Sequence, residues 1–142
     1  VFITAALFNE LDSEDELAGI FGHEVGHVVA RHGAERIATQ ELTQGLTGAA
    51  VIASGDYQTA QAAQMIANVV GMSYGRDQEL ESDDLGVRFM IQAGYDPQAL
   101  VKVMEILEKA SGGKSQPEFM STHPSPANRI EKIKAAIEKY KK

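Results

Sequence analysis

Residues 13–31 read SEDELAGIFGHEVGHVVAR and predict the helix on which the interpretation of the whole chain rests. Ser13, followed three residues later by Glu16, forms a capping box, the pattern that begins many helices before an apolar run. The apolar residues that follow recur at three- and four-residue steps: Leu17, Ile20, Phe21, Val25, Val28 and Val29. We therefore predict a helix that begins at Glu14 and ends near the close of this stretch, with Gly33 as a stop.

This helix carries two histidines and a glutamate at a spacing that suits a metal ion. His23 and His27 are four residues apart. Four helical residues turn by about 400°, so both imidazoles project from one face, one turn apart. Glu24 lies beside them, where it can act as a general base without being a ligand, as in the His-Glu-x-x-His arrangement. The alternative is a pair of structural histidines on an ordinary helix, but Glu24 on an otherwise apolar helix favours the metal site.

The composition of the chain limits the number of domains, the kinds of metal ligand and the classes of partner. The chain has 142 residues, of which 44% are hydrophobic and 23% charged, so we expect one compact domain over residues 1–142. Cysteine is absent, which excludes a thiolate zinc site and a cysteine nucleophile. The formal net charge of −7 argues against nucleic acid as a partner. The chain begins at Val1 without an initiator methionine, so we interpret it as a processed or excised part of a longer protein.

A catalytic zinc needs a third protein ligand and one open position. The metzincin position for a third histidine, six residues after the second, holds Gly33. His32 is one residue off and falls on another face of the predicted helix, so we interpret it as structural. The acidic stretch at residues 76–84 offers a carboxylate instead. Glu79 and Asp83 share a helix face, so Glu79 can bind the metal while Asp83 accepts the second N–H of a ligating histidine. Spacing alone leaves Glu81 as an alternative to Glu79.

The rest of the chain predicts a mainly α domain of the α+β class. The apolar run Val1–Phe8 indicates a buried or edge strand, or a small sheet, beside the first helix. Residues 34–74 indicate two helical stretches broken near Ser54–Asp56, which form either a mobile cover over a cleft or an ordinary hairpin. The run from Tyr57 to Gly75 is too polar for a membrane span. We predict further helices at about Gln78–Gln92, from Asp96-Pro97 to about Ala110, and from Ser125-Pro126 to about Lys139.

Three blocks of sequence resemble the zinc metallopeptidases of the HtpX, BepA, Oma and CAAX prenyl protease family. They are Gly22–Val28 with Arg31-His32, then Glu79-x-Glu81-Ser82-Asp83-x-x-Gly86, then Thr122-His123-Pro124 with Arg129-Ile130. The resemblance covers nearly the whole chain and implies a zincin-like fold with one zinc ion per chain. It implies that His23, His27 and Glu79 bind the zinc and that Asp83 supports a ligand. The departure is Ser82, where the family usually has alanine.

The resemblance also suggests roles for parts outside the ligand set. His123 is expected to approach the metal, either as a resting-state ligand or to stabilise the transition state. Arg129 is expected to be a buried ion-pair partner that docks the last helix. Val1–Phe8 resembles an edge strand to which a peptide substrate adds as a further strand. Residues 41–74 correspond to membrane helices in HtpX and to a soluble cover in BepA-like members, and their polar composition favours the cover.

These observations predict a zinc-dependent endopeptidase, with Glu24 as the base, that acts on unfolded or misassembled polypeptides. The expected location is the bacterial periplasm or the membrane-associated envelope, with any membrane contact made by segments that this sequence lacks. The alternative is a metal-binding, chaperone-like module whose cover suppresses cleavage. A third interpretation is a structural zinc site that His123 closes permanently.

Overall fold

The computed structural model of the chain describes residues 1–111, 123 and 128–141. In these residues all regular structure is helical, so the domain is mainly α. The described helices, in chain order, are α1 (Ala5–Asn9), α2 (Glu14–Val29), α3 (His32–Ser54), α4 (Tyr57–Ala93), α5 (Gln98–Ser111) and α6 (Arg129–Tyr140). The predicted start of the last helix at Ser125-Pro126 lies outside the described residues.

The predicted start of α2 and its Ser13 cap are confirmed, although the side chain of Glu16 reaches back to Asp12 and not to Ser13. Ser13 Oγ accepts the N–H of Glu16 at 3.2 Å, and the carboxylate of Glu16 accepts the N–H of Asp12 at 2.8 Å. The predicted stop at Gly33 is wrong, because α2 ends at Val29 and α3 already begins at His32. The reversal occurs at Arg31, whose φ of 61° lies in the left-handed region that L side chains rarely adopt.

The predicted strand at Val1–Phe8 is wrong, and the described residues contain no sheet beside α2. Thr4 instead caps α1, because its Oγ1 accepts the N–H of Leu7 at 3.2 Å. A short apolar run does not distinguish a strand from a helix, and the hydroxyl before two alanines favours the helix here. A substrate strand added along Val1–Phe8 therefore loses its structural basis.

Four helices share the core. Helix α2 packs on α4 and α5, and α6 packs on α4 and α5. Core side chains come from all four helices and include Ile20, Val87, Met90, Leu100, Val103, Ile133 and Ile137. The core lies behind the face of α2 that carries the histidines, so it fixes α2 and the second half of α4 relative to each other.

Helices α2 and α4 cross at a contact that only very small residues allow. A Cβ on Gly22 would lie 3.1 Å from the carbonyl oxygen of Gly86, and a Cβ on Gly26 would lie 2.9 Å from that of Ser82. The Ser82 hydroxyl donates to the carbonyl oxygen of His23 at 2.8 Å and so adds a hydrogen bond across the crossing. This close approach brings the acidic side chains of α4 next to the histidines of α2.

Helix α4 is continuous from Tyr57 to Ala93, so the predicted helix start near Gln78 is wrong. The preceding break is confirmed, because α3 ends at Gly55 with a φ of 65° and Asp56 caps α4. A glycine within a helix costs only about 1 kcal/mol relative to alanine, and Gly75 lies buried inside α4 without interrupting it.

Helix α3 and the first half of α4 form a hairpin whose large apolar side chains face outward. Ile52 is 85% exposed and Met65 is 70% exposed. The half-buried positions are mostly small residues: Thr39, Thr43, Thr47, Ala50, Ala60, Ala63 and Ala67. Among the helices that the structure describes, none is long and apolar enough to cross a membrane.

Candidate metal centre

Three histidines and one glutamate meet at the end of the α2–α4 crossing. His23 and His27 come from α2, Glu79 comes from α4, and His123 precedes α6 in the chain. One donor atom of each lies within 4.8 Å of the others. The Nε2 atoms of His23 and His27 are 3.1 Å apart and lie 3.4 and 3.3 Å from the Glu79 carboxylate. Nδ1 of His123 lies 3.0 Å from Oε1 of Glu79 and 3.4 Å from Nε2 of His23.

These separations fit a small tetrahedral metal ion. Zinc bonds to nitrogen and oxygen are about 2.0–2.1 Å long, so neighbouring donors around a tetrahedron stand about 3.3 Å apart. The separations of 3.0–3.4 Å that join the histidine nitrogens to each other and to the two carboxylate oxygens of Glu79 are close to that edge, and all four donors lie within 4.8 Å of one another. Imidazole and carboxylate are also the donor types that zinc accepts in catalytic sites. The residues present therefore fit the expected ion.

Behind His23 lies a buried ion pair. Nδ1 of His23 is 2.8 Å from Oδ1 of Asp83, and Arg129 donates to both oxygens of Asp83, from Nε at 2.7 Å and from Nη2 at 2.8 Å. Burial alone would raise the pKa of Asp83, but these bonds outweigh it and hold the pKa below its ordinary value. The ionised Asp83 accepts the Nδ1–H of His23, which turns the Nε2 lone pair of that ring towards the cluster.

Glu79 is ionised although it is only 3% exposed. Burial favours the neutral acid, but the close contacts with the imidazoles of His123, His23 and His27 outweigh burial and hold the pKa of Glu79 far below its ordinary value. Nη1 of Arg129 lies 3.2 Å from Oε2 of Glu79 and adds positive charge. The carboxylate is therefore available as an anionic ligand.

Glu24 stands beside the four donors without belonging to them. Its side chain is 22% exposed, and its Oε1 lies 3.4 Å from Nε2 of His123. A carboxylate at the edge of a metal site and open to solvent has access to a water molecule there, which is the geometry a general base needs. The structure thus brings all seven predicted site residues into one connected cluster: His23, Glu24, His27, Glu79, Asp83, His123 and Arg129.

His32 also contacts this cluster, whereas the sequence predicted only a structural role for it on another face of the helix. It is 3% exposed, with Nδ1 2.8 Å from Nδ1 of His27 and Nε2 3.3 Å from Oε2 of Glu81. Had α2 continued, five residues would have turned His32 by about 140° away from His27. The reversal at Arg31 brings it back. The only signal in the sequence was a third imidazole close to the motif, and its meaning depended on where α2 ends.

A helix with His-Glu-x-x-His that crosses a second helix bearing a glutamate and an aspartate is an arrangement of metallopeptidases. The chain belongs to peptidase family M48, because the sequence model described as Peptidase family M48 matches residues 1–137. The family resemblance that the three sequence blocks suggested is therefore confirmed, and the members of this family depend on a metal.

Curated relatives agree with this assignment. The chain is 31% identical over 141 residues to the Beta-barrel assembly-enhancing protease of Escherichia coli K12, covering 92% of this chain and 29% of that protein. It is 36% identical over 132 residues to the Mitochondrial metalloendopeptidase OMA1 of Arabidopsis thaliana, covering 91% and 26%. It is 28% identical over 131 residues to the Metalloprotease YcaL of Escherichia coli K12, covering 90% and 51%. The chain thus spans about a quarter to a half of the length of these relatives.

Proposed function

We propose that this chain is a zinc-dependent endopeptidase domain whose zinc ligands are His23, His27 and Glu79. One observation carries the proposal: the partly exposed carboxylate of Glu24 borders a cluster of three histidines and a glutamate whose donor atoms lie close enough together to share one zinc ion. A structural site would need the donors but not the adjoining carboxylate.

The reaction divides among the residues as follows. A bound zinc ion would polarise the scissile carbonyl and make the attacking water more acidic. Glu24 accepts a proton from that water as its oxygen bonds to the carbonyl carbon, and delivers the proton to the leaving nitrogen as the C–N bond breaks. Asp83, held by Arg129, keeps His23 oriented with its Nε2 towards the ion.

The variant Glu24→Gln tests the assignment of the base. It preserves size and leaves the four metal donors in place, so we expect wild-type zinc content and loss of casein cleavage. The matched control is Glu14→Gln, the same change at an exposed position in the first turn of the same helix, which should retain cleavage. Cleavage by a zinc-loaded Glu24→Gln preparation would refute the base assignment, and chelator-resistant cleavage by the wild type would refute the role of the metal.

His123 favours a second candidate, a metal-binding chaperone-like module with suppressed cleavage. Its Nδ1 lies among the donors and its Nε2 lies 3.4 Å from Oε1 of Glu24, so it fills a fourth position and contacts the base at once. If His123 holds a resting state, His123→Ala raises casein cleavage. If it stabilises the transition state, His123→Ala lowers kcat with little change in zinc affinity. A third outcome is that the zinc-loaded wild type and the zinc-loaded His123→Ala variant both fail to cleave casein but both delay aggregation of an unfolded protein. In that case the chaperone-like function replaces the peptidase.

The substrates we propose are unfolded or misassembled polypeptides in the bacterial envelope. A relative named for enhancing β-barrel assembly supports this class, whereas another relative is named as mitochondrial, which leaves the location as a prediction. Unfolded casein should be cleaved much faster than a compact folded protein of similar size. Equal rates on both would contradict a quality-control role.

A further inference from the structure

We propose that His32 is a positioning residue for His27, and that Glu81 in turn holds His32. This inference deepens the proposed function, since it concerns how a ligand of the same metal centre is oriented. Its basis is a chain of two hydrogen bonds, from His27 to His32 at 2.8 Å and from His32 to Glu81 at 3.3 Å.

The hydrogens along this chain have one consistent assignment. Nε2 of His27 faces the other donors, at 3.1 Å from His23 and 3.3 Å from Glu79, so it carries the lone pair for the ion. Its hydrogen is then on Nδ1, which points at Nδ1 of His32. Because that atom accepts, the hydrogen of His32 is on Nε2, where the Glu81 carboxylate accepts it.

The backbone places His32 where the sequence pattern alone would not. Arg31 adopts a left-handed conformation that is uncommon for a side chain of its kind, and α3 begins at the next residue. His32 is thereby folded back over α2, and its side chain is 4% exposed, whereas that of its partner Glu81 is 61% exposed. Such a conformation persists where surrounding contacts impose it, and the His27–His32 hydrogen bond is such a contact.

The two histidines of the motif therefore have different supports. His23 is backed by a buried aspartate that Arg129 holds on both oxygens. His27 has a half-buried ring and is backed by a neutral imidazole tied to an exposed carboxylate. Groups that accept the second N–H of a ligating histidine change metal affinity or activity by about 10–100-fold when removed. We therefore expect zinc affinity to fall by a factor in that range when His32 no longer accepts the N–H of His27.

Two substitutions at His32 separate positioning from packing. His32→Asn retains an oxygen near the place of Nδ1, so it can still accept the His27 hydrogen. His32→Leu retains the buried volume and removes the acceptor. Zinc affinity, measured by competition with a chromophoric chelator, should fall about 10–100-fold in His32→Leu and stay within a few-fold of wild type in His32→Asn. The visible spectrum of the cobalt-substituted protein should change in His32→Leu alone, because it reports ligand geometry.

Equal zinc affinity in His32→Leu and wild type would overturn the inference, and so would equal losses in the leucine and asparagine variants. Should His32→Leu fail to fold, Glu81→Ala decides, since its exposed side chain leaves the core intact. We expect a smaller fall in zinc affinity there and none in the control Asp77→Ala, one turn earlier on α4 and also exposed. Affinity is measured without peptide, so a wild type that binds no zinc refutes the proposed function, whereas insensitive His32 and Glu81 variants refute only this inference.

Discussion

Replacing Gly26 by alanine should force α2 and α4 apart at the metal centre. The new Cβ would lie 2.8 Å from the hydroxyl of Ser82, 2.9 Å from its carbonyl oxygen and 3.1 Å from its Cα. A side-chain rotation could move the hydroxyl away, but the carbonyl oxygen and Cα belong to the backbone of α4. The helices must therefore separate by a few tenths of an ångström at the crossing that sets the donor separations.

The magnitude follows from two opposing terms. Overpacking a rigid contact costs about 1–3 kcal/mol. Replacing glycine by alanine inside a helix stabilises it by about 0.5–1 kcal/mol. Gly19→Ala, on the same helix, is the matched control, because its Cβ would meet Leu100 at 3.4 Å, close to ordinary van der Waals contact. Both variants share the helix term, so the difference in their free energies of unfolding isolates the overpacking term of about 1–3 kcal/mol.

Urea unfolding of the metal-free protein, followed by circular dichroism, measures this difference, and chelator competition measures zinc affinity on the same samples. We expect Gly19→Ala to match or exceed the stability of the wild type and Gly26→Ala to fall below both, with weaker zinc binding. A Gly26→Ala variant as stable as Gly19→Ala, with unchanged zinc affinity, would refute the claim that the glycine contact sets the geometry of the site.

Three further outcomes follow from the same contacts. Ser82→Ala should lower the free energy of unfolding by about 1 kcal/mol, measured in urea, because it removes the hydrogen bond to His23. Arg129→Met should cost about 3–5 kcal/mol in the same measurement, since it leaves the buried Asp83 uncompensated, and Arg129→Met combined with Asp83→Asn should recover part of that loss. The pKa of Asp83 is lower in the folded than in the unfolded chain, so its contribution to stability is complete above the ordinary value of 3.8 and is lost as the pH falls below it. The urea midpoint of the metal-free wild type should therefore drop between about pH 5 and pH 3 more steeply than that of Asp83→Asn; equal slopes would contradict this assignment.

Local patterns placed the α2 residues of the cluster, because their relative positions depend only on the periodicity of one helix. The capping box at Ser13 fixed the start of α2, and helical periodicity then placed His23, Glu24 and His27 on one edge. Glu79 required pairing two distant segments, for which spacing left Glu81 as an alternative. In the structure it is Glu79 that meets the histidines, whereas the exposed Glu81 contacts His32.

The wrong predictions share a physical cause, which is that an element's boundary depends on contacts that the sequence does not display. The apolar run at Val1–Phe8 has no neighbouring strand among the described residues, and the Thr4 cap makes it helical. The sequence predicted a separate helix from about Gln78, but in the structure the preceding helical stretch continues through that position as part of α4. The role of His32 depended on a left-handed residue at Arg31, for which side-chain patterns give no signal.

The hairpin formed by α3 and the first half of α4 has both of its ends beside the metal centre, because His32 at the start of α3 and Glu79 on α4 both contact His27. Its base is closed by a hydrogen bond of 2.9 Å from Nε2 of Gln78 to Oε2 of Glu35. Across the described residues 33–73, no side chain is fully buried, so neither arm contributes to the core. Removing matched turns from both arms would shorten the protrusion without moving its base. The outward surface can therefore change during evolution at little cost to the chemistry beneath it.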